Sequence, residues 1–183
     1  QKKNKIKKAI PLIGYVARYD PLKDHLNLLN ALSLIKLKGI NFFCILVGYD
    51  INKSKILVNE INKLKLNNSI RLMGPIKNIS KIMNLLDIHV QSSASEGFPN
   101  VVAEAMAHKT PCVVTNVGDS SYIVGKTGWV APSNDSVKLA KAIKTAFNEI
   151  GTKNWSKKCN AVRARIKLKF SIGKMIKSYN KVW

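Results

Sequence analysis

The residues from Ser95 to Ala107 form the most informative motif of the chain, because carboxylates stand on both sides of a predicted helix N-terminus. They include two carboxylates, Glu96 and Glu104, and they follow an apolar run that is typical of a strand. Pro99 has a backbone angle preset for a first helical turn, so we expect a helix to begin there. The N–H groups of residues 100–102 would then point out of the helix end, where an anion is favoured. Carboxylates beside an anion site suit a ligand that carries both phosphate and hydroxyl groups, as a nucleotide sugar does.

Two basic side chains are expected beside this motif. Arg18 ends the first predicted strand, Lys23 follows five residues later, and Gly48 ends the second strand. In a parallel sheet the carboxyl ends of these strands meet at one edge, where open α/β sheets bind ligands. The planar fork of Arg18 suits phosphate oxygens, and Lys23 adds a mobile point charge. Together with the helix N-terminus, the pair predicts a diphosphate site.

The two glutamates lie eight residues apart, so they are not neighbours on one helical face. Separated carboxylates can each accept hydrogen bonds from vicinal hydroxyl groups, one from a ribose and the other from a hexose. The residues that flank Glu104 are small or apolar, and we therefore expect its side chain to be buried and to need a partner. The chain has no Gly-x-Gly-x-x-Gly or Walker lysine motif, which argues against dinucleotide and kinase sites. It has no Ser-His-Asp or paired-carboxylate arrangement typical of hydrolases either.

Strand and helix patterns alternate along the chain, which predicts a parallel sheet with helices on both faces. The fold class expected is α/β, a Rossmann-like three-layer α/β/α domain with about six parallel strands and with C-terminal helices outside the core. Strands are predicted at 10–17, 41–47, 69–73, 88–91, 111–115 and 127–130. Helices are predicted at 26–37, 51–66, 79–86, 137–150, 155–168 and 172–183, besides the helix of the motif.

The formal net charge of +21 raises the possibility of nucleic-acid binding, but its distribution argues against it. Nearly all of the excess is lysine, scattered over the predicted helices other than that of the motif and without the interleaved aromatic residues that stack on bases. The densest basic cluster lies between Lys157 and Lys169. An ordinary solvated helix face explains this cluster better than a binding site does. Weak peripheral contact with anionic lipid stays open as an alternative.

The cysteines and histidines predict neither a metal site nor a disulfide framework. Cys44 and Cys112 fall in apolar strand-like runs and Cys159 on a helix, without CxxC spacing, as expected for reduced thiols in a cytoplasmic protein. The three histidines are isolated from one another, and we interpret each as structural or surface-exposed. The chain begins with Gln1 and a polar segment without the apolar core of a signal peptide, and we interpret it as a fragment of a longer protein. No apolar run approaches the roughly 20 residues of a membrane span.

The motifs together resemble the family 4 glycosyltransferases, which are retaining enzymes with two Rossmann-like domains in the GT-B arrangement. The resemblance rests on VARYDPLKDH at 16–25, LVG at 46–48, RLMG at 71–74, EGFPNVVAEAMA at 96–107 and PCVVTNVG at 111–118. It covers most of the chain. It implies that residues 1–183 form one donor-binding domain, the C-terminal half of such an enzyme, and that the N-terminal acceptor domain is absent. The terminal helices at 153–183 are then expected to pack towards that missing domain.

The resemblance also implies a role for each matched residue. Arg18 and Lys23 are expected to bind the donor diphosphate and, together with Glu96, to act in catalysis. Glu96 is expected to contact the transferred sugar, and Glu104 the ribose hydroxyls. The remaining donor-binding positions implied are Gly48, Met73, Gly74, Gly97, Phe98, Pro99, Asn100 and Val101. Such enzymes usually need no metal or other cofactor, because the basic residues and the helix end neutralise the diphosphate. The acceptor, bound by the missing domain, is expected to be a glycan or a lipid-linked sugar of polysaccharide or glycolipid biosynthesis.

One departure from the family pattern affects the nucleotide loop. The family often has a second glycine shortly after the position of Gly48, whereas Tyr49 and Asp50 follow it here. Two other functions stay open beside the transferase: a non-catalytic module that binds a nucleotide sugar, and a GT-B-like epimerase of sugar nucleotides. A basic nucleic-acid binder is a third, less favoured hypothesis. The sequence names neither the base and sugar of the donor nor the acceptor.

Overall fold

Six short parallel strands form a single sheet at the centre of the protein, and the computed structural model describes residues 10–180 of the chain. The strands are short and mostly apolar, and the central ones, β1, β4 and β5, are buried between two helical layers. The strands are β1 (Leu12–Val16), β2 (Phe43–Val47), β3 (Ile70–Met73), β4 (Ile88–Gln91), β5 (Cys112–Thr115) and β6 (Trp129–Ala131). Their order across the sheet is β3-β2-β1-β4-β5-β6, and every neighbouring pair is parallel.

Eight α-helices connect and flank the strands within residues 10–180. They are α1 (His25–Leu37), α2 (Lys55–Lys63), α3 (Ile79–Leu85), α4 (Asn100–Ala107), α5 (Ser120–Val124), α6 (Ser136–Glu149), α7 (Trp155–Lys169) and α8 (Ile172–Tyr179). Apolar residues of α1, α2 and α6 form the core on one face of the sheet. Residues of α3, α4, α5 and α7 form the core on the other face. The predicted Rossmann-like three-layer α/β/α fold with six parallel strands is therefore confirmed.

The structure divides one predicted helix and adds elements that the sequence patterns did not reveal. The helix expected at 51–66 is a 3₁₀ turn (Ile51–Lys53) followed by α2, because Ser54 leaves the helical conformation and its hydroxyl caps α2 by accepting from the Leu57 N–H at 3.3 Å. Helix α5 and the 3₁₀ turns Pro21–Lys23 and Gly125–Thr127 were not predicted. They are too short for an apolar period to stand out in the sequence.

The last two helices differ in how they meet the rest of the domain. Helix α7 packs on α4, with Val162 fully buried and Ile166 and Phe170 partly buried in the second core. Helix α8 leaves Ile172 and Ile176 exposed. The helix predicted to end at residue 183 is seen as far as Tyr179, and residues 181–183 lie outside the described range.

Candidate functional site

The site lies at the carboxyl edge of the sheet, where β1 separates β2 from β4 and the order of the strands reverses. Backbone hydrogen bonds tie the loops after these strands together: the Tyr19 N–H donates to the Tyr49 carbonyl at 2.9 Å, and the Ala94 N–H donates to the Leu22 carbonyl at 2.8 Å. Gly48 allows the close approach of the first two loops, because a Cβ atom there would lie 1.9 Å from the Ala17 carbonyl oxygen. The three strand ends are thus held at fixed separations.

Two cavities open at this edge and share one wall. The first, of 370 Å³, is mainly apolar and is lined by Val47, Gly48, Tyr49, Pro75, Ile76, Ile79 and Glu104. The second, of 390 Å³, is more polar and is lined by Tyr15, Lys23, Gln91, Glu96, Phe98 and Pro99. Both are also lined by Val16, Ala17, Arg18, Asn100 and Val101. We call them the apolar cavity and the polar cavity.

Most of the residues predicted from the sequence therefore meet around these two cavities. Arg18 stands on the shared wall, with Glu104 in one cavity and Lys23 and Glu96 in the other. Met73, Gly74 and Gly97 line neither cavity. The two residues that follow Gly74 line the apolar cavity instead.

Glu96 is fixed by three hydrogen bonds to one of its carboxylate oxygens. Its Oε1 accepts from Lys23 Nζ at 2.7 Å, from Gln91 Nε2 at 2.8 Å and from Ser93 Oγ at 2.7 Å. The Oε1 of Gln91 in turn accepts from the buried Ser120 hydroxyl at 3.3 Å. No residue within 10–180 donates to Oε2 of Glu96, so one oxygen is anchored while the other keeps its capacity to accept a hydrogen bond.

Lys23 is held through its backbone as well as its side chain. The buried Tyr15 hydroxyl donates to the Lys23 carbonyl, and the Ser92 hydroxyl donates to the Asp24 carbonyl at 2.9 Å. Burial raises the pKa of Tyr15 well above its ordinary value, so this hydroxyl keeps its proton at neutral pH. The Lys23 ammonium is thus presented from a fixed turn to the polar cavity, where it pairs with Glu96.

Arg18 is more exposed than Lys23 and also has an acidic partner. Its Nε and Nη2 donate to Oδ2 of Asp20 at 3.0 and 2.8 Å. Asp20 also accepts from the Leu22 N–H at 2.9 Å, capping the 3₁₀ turn that carries Lys23. The hydrogen bond from Arg18, followed by the one from Leu22, lowers the pKa of Asp20 below its ordinary value. Both cations of the site are therefore paired with carboxylates in this structure.

The N-terminus of α4 lies between the cavities but begins one residue later than expected. Pro99 is extended, with ψ at 91°, and occupies the capping position rather than the first turn, so the helix begins at Asn100. The Val102 N–H donates to the Pro99 carbonyl at 3.0 Å and is not free, contrary to the prediction. Within residues 10–180 the N–H groups of Asn100 and Val101 make no hydrogen bond. These two amides and the helix dipole remain available to an anion.

The expectation that Glu104 is buried is wrong. Its side chain is exposed, and within residues 10–180 it has no hydrogen bond or ion pair. The buried face of α4 is formed by Val102, Ala105 and Met106, which pack into the second core. Glu104 lies one turn from Val101 on the side that borders the apolar cavity. Its carboxylate therefore needs no protein partner and is accessible to a ligand.

Three contacts support the loop that carries Glu96. Gly118, at φ +49°, lies so close beneath it that a Cβ atom would be 2.2 Å from the Glu96 carbonyl oxygen. The next residue, Asp119, donates its N–H to the Gly97 carbonyl at 2.9 Å. On the other side the Phe98 ring lies 5.8 Å from the ring of Phe170, which follows α7. The end of α7 thus contacts the loop of the polar cavity directly.

Two histidines are buried without a hydrogen-bond partner among residues 10–180. His25 lies beside the site, its ring 4.8 Å from that of Tyr15 and 5.7 Å from that of Tyr19. His89, on β4, is completely buried in the sheet. Burial lowers the pKa of each imidazole from 6.5 to about 4. Both rings are consequently neutral at pH 7, and neither lines the two cavities.

Gln91, Ser93, Ser120, Tyr15 and Asp20 belong to the site but were not predicted. One signal was present: Gln91, the last residue of β4, starts a polar run of three residues just before the motif. Ser120 is distant in sequence, and no local pattern links it to Glu96.

No group of three histidine, cysteine or acidic side chains in residues 10–180 is arranged to hold a metal ion, and no helix there is long and apolar enough to cross a membrane.

Comparison with known protein families and sequences gives a consistent result. The model of the family described as "Glycosyl transferases group 1" matches residues 1–163. The chain is 31% identical over 105 residues to the putative glycosyltransferase EpsF of Bacillus subtilis, covering 57% of this chain and 27% of that protein. It is 26% identical over 140 residues to the capsular polysaccharide biosynthesis glycosyltransferase CapM of Staphylococcus aureus, covering 75% and 37%. The chain thus spans about a third of the length of the curated relatives it matches.

Solved structures resemble this fold over nearly the whole chain. A glycosyltransferase from Rickettsia africae is 29% identical with a TM-score of 0.84, covering 95% of this chain and 47% of that one. Anabaena Alr3699/HepE, solved in complex with UDP-glucose, is 23% identical with a TM-score of 0.82, covering 95% and 48%. At that identity the second likeness shows the fold alone.

Proposed function

The chain belongs to the glycosyl transferases group 1 family, and from that premise we propose that it is the donor-binding half of a retaining GT-B glycosyltransferase of family 4. The donor is a nucleotide-diphosphate sugar. In this proposal the activity of the whole enzyme also requires an acceptor-binding domain outside residues 1–183.

The paired cavities are the observation that carries this proposal. A nucleotide sugar has an apolar planar base at one end, a polar sugar at the other and a diphosphate between them. The apolar cavity, the shared wall with Arg18 and the polar cavity lie in the corresponding order: base, diphosphate and sugar. The accessible carboxylate of Glu104 on the apolar side suits the ribose hydroxyls, and the anchored carboxylate of Glu96 suits the transferred sugar.

The diphosphate is expected to bind the Arg18 and Lys23 cations, which are paired with carboxylates in this structure. Lys23 lies 2.7 Å from Glu96 and Arg18 lies 2.8 Å from Asp20. A bound diphosphate between them competes for both cations and is stabilised further by the two free amides of α4. Gln91 and Ser93 still hold Glu96 when Lys23 turns to the phosphate, so the carboxylate keeps its position.

These groups also explain how transfer is accelerated. Breaking the bond between the anomeric carbon and the phosphate oxygen leaves negative charge on the departing diphosphate. Arg18, Lys23 and the end of α4 then stabilise the transition state more than the ground state. In the complete enzyme, Arg18→Ala and Lys23→Ala should each slow transfer by about 100-fold, since one such contact contributes about 3 kcal/mol. Near-normal turnover by either variant would contradict the assignment.

Calorimetric titration of the 183-residue chain with UDP-, GDP- and ADP-sugars tests the donor site directly. Saturable binding of one nucleotide, weakened at least tenfold by Lys23→Ala, is the expected result. Lys63→Ala is the control for loss of a lysine, because Lys63 forms an exposed ion pair with Glu60 on the surface of α2, away from both cavities. Binding to DNA without binding to any nucleotide sugar would refute the proposal.

We further propose that the acceptor is a growing polysaccharide or a lipid-linked sugar. The name of the relative CapM, which places that protein in capsular polysaccharide biosynthesis, supports this class of acceptor. The enzyme would then work in the cytoplasm, in peripheral contact with the membrane that carries a lipid-linked acceptor.

The isolated chain should bind donor weakly and transfer nothing measurable. Robust transfer by it would contradict the assignment of half an active site. No metal is expected to be needed, and unchanged donor binding in excess EDTA checks this.

A further inference from the structure

Tyr49 is a large aromatic residue without an evident structural role. Its side chain is 69% exposed at the apolar cavity, and its hydroxyl has no hydrogen-bond partner within residues 10–180. It stands in the segment where the family resemblance led us to expect a second glycine. We propose that Tyr49 determines nucleotide affinity by stacking its ring on the base of the donor. This inference rests on the function proposed above and adds a binding residue to it.

The backbone at Tyr49 is held by contacts with neighbouring loops, so its ring is kept in position at the apolar cavity. The Tyr49 carbonyl accepts from the Tyr19 N–H at 2.9 Å, and Gly48 before it packs against the Ala17 carbonyl. Asp50 after it adopts the left-handed conformation at φ 61°. The side chain of Ile51 then enters the core and is fully buried. Tyr49 therefore loses little backbone freedom when it contacts a ligand.

The surroundings of Tyr49 suit a planar apolar group. Pro75, Ile76 and Ile79 line the same cavity from the neighbouring strand end and from α3. Their side chains offer no hydrogen-bonding groups, whereas the charged Arg18 and Glu104 lie towards α4 and the shared wall. A nucleobase has a π face that stacks on an aromatic ring, and this stacking is tolerant of base identity. A diphosphate without a base would gain nothing from the ring.

Calorimetry with the 183-residue chain tests the inference, with UDP, GDP and ADP as probes and with pyrophosphate as the probe that lacks a base. For the nucleotide that binds, Tyr49→Ala should weaken binding by about 5- to 150-fold, the range that corresponds to loss of one stacking contact. Tyr49→Phe should retain near-normal affinity, because the ring remains. Pyrophosphate binding should be equal in the parent chain and in Tyr49→Ala. Tyr179→Ala is the matched control, since Tyr179 is 61% exposed on α8, far along the chain from the cavity.

The outcomes separate this inference from the function on which it rests. If the parent chain binds none of the three nucleotides, the proposed function fails and the stacking role fails with it. If a nucleotide binds and Tyr49→Ala binds it equally well, the donor site stands and the stacking role is refuted. A loss of pyrophosphate binding in Tyr49→Ala would also refute stacking, because the effect would then act on the phosphate site. Unchanged thermal melting of Tyr49→Ala is expected, given the exposure of its side chain.

Discussion

Acidification from pH 7 to pH 5 is expected to destabilise the fold, with the buried His89 responsible for a large part of the loss. The alternation of side chains along β4 places His89 on the side of the second core, next to Cys112 of the neighbouring strand. Its imidazole has no hydrogen-bond partner in the part of the chain that the structure describes, and burial lowers its pKa from 6.5 to about 4. The unfolded chain therefore binds a proton on this residue more readily than the folded chain does.

The sign and size of the effect follow from this difference in pKa. Well above pH 6.5 the ring is neutral in both states and stability is unaffected by its titration. As the pH falls from 6.5 towards 4, the unfolded state gains protons that the folded state excludes, so the free energy of unfolding decreases. At pH 5 a single site with these two pKa values lowers the free energy of unfolding by about 2 kcal/mol relative to neutral pH. His25, whose pKa is lowered to about 4 by burial as well, should contribute a similar amount.

Urea unfolding followed by circular dichroism at pH 7 and pH 5 measures this loss. His89→Leu removes the titrating ring and the two unpaired nitrogens while keeping an apolar side chain in the core. It should reduce the pH-dependent loss by about 2 kcal/mol. His108→Gln is the control, because His108 lies at the surface end of α4 beside Asn84 rather than in the sheet. An identical pH dependence in the parent chain and in His89→Leu would refute the reasoning.

Three further substitutions test the support and the chemistry of the site. Gly118→Ala places a Cβ atom 2.2 Å from the Glu96 carbonyl oxygen, so the free energy of unfolding in urea should fall by about 1–3 kcal/mol. An unchanged unfolding midpoint would contradict the close approach. Glu104→Ala should leave stability within about 0.5 kcal/mol, because the side chain is exposed, yet weaken nucleotide binding in calorimetry by about tenfold or more through lost charged hydrogen bonds. Equal affinity would rule out its contact with ribose. Phe170→Ala should lower the free energy of unfolding by about 1–3 kcal/mol, because its ring contacts both Phe98 and Tyr122, and a neutral result would show that these contacts contribute nothing.

The fold could be predicted because its elements are encoded locally. Short, mostly apolar runs of three to five residues determine the strands, and their parallel arrangement places the following loops at one edge. This reasoning located Arg18, Lys23, Gly48 and the motif correctly relative to one another. It failed at residue 54, where a single serine cap ends one helical turn and starts another, since such a cap leaves the apolar period almost unchanged.

The error at Glu104 has a specific cause. The prediction counted the apolar neighbours of Glu104 in sequence, but helical periodicity sends these neighbours to different faces. Val102, Ala105 and Met106 face the core, whereas Glu104 and Val101 face the cavity. The partners of Glu96 could not be predicted for a different reason. Ser120 reaches Glu96 only through Gln91 and across two strand ends, and such contacts depend on the assembled sheet.

The ring contact between Phe98 and Phe170 bears on where this domain can be cut. The family match ends at residue 163, and a chain shortened to that point would retain every residue predicted to touch the donor. It would lose Phe170 and Arg165, whose Nε donates to the Ile123 carbonyl at 2.7 Å on the same side of the domain. Phe98, already 43% exposed, would then lose the ring that covers part of it. The minimal unit that keeps the polar cavity in shape is therefore longer than the unit that similarity alone would delimit, and it includes the first residue after α7.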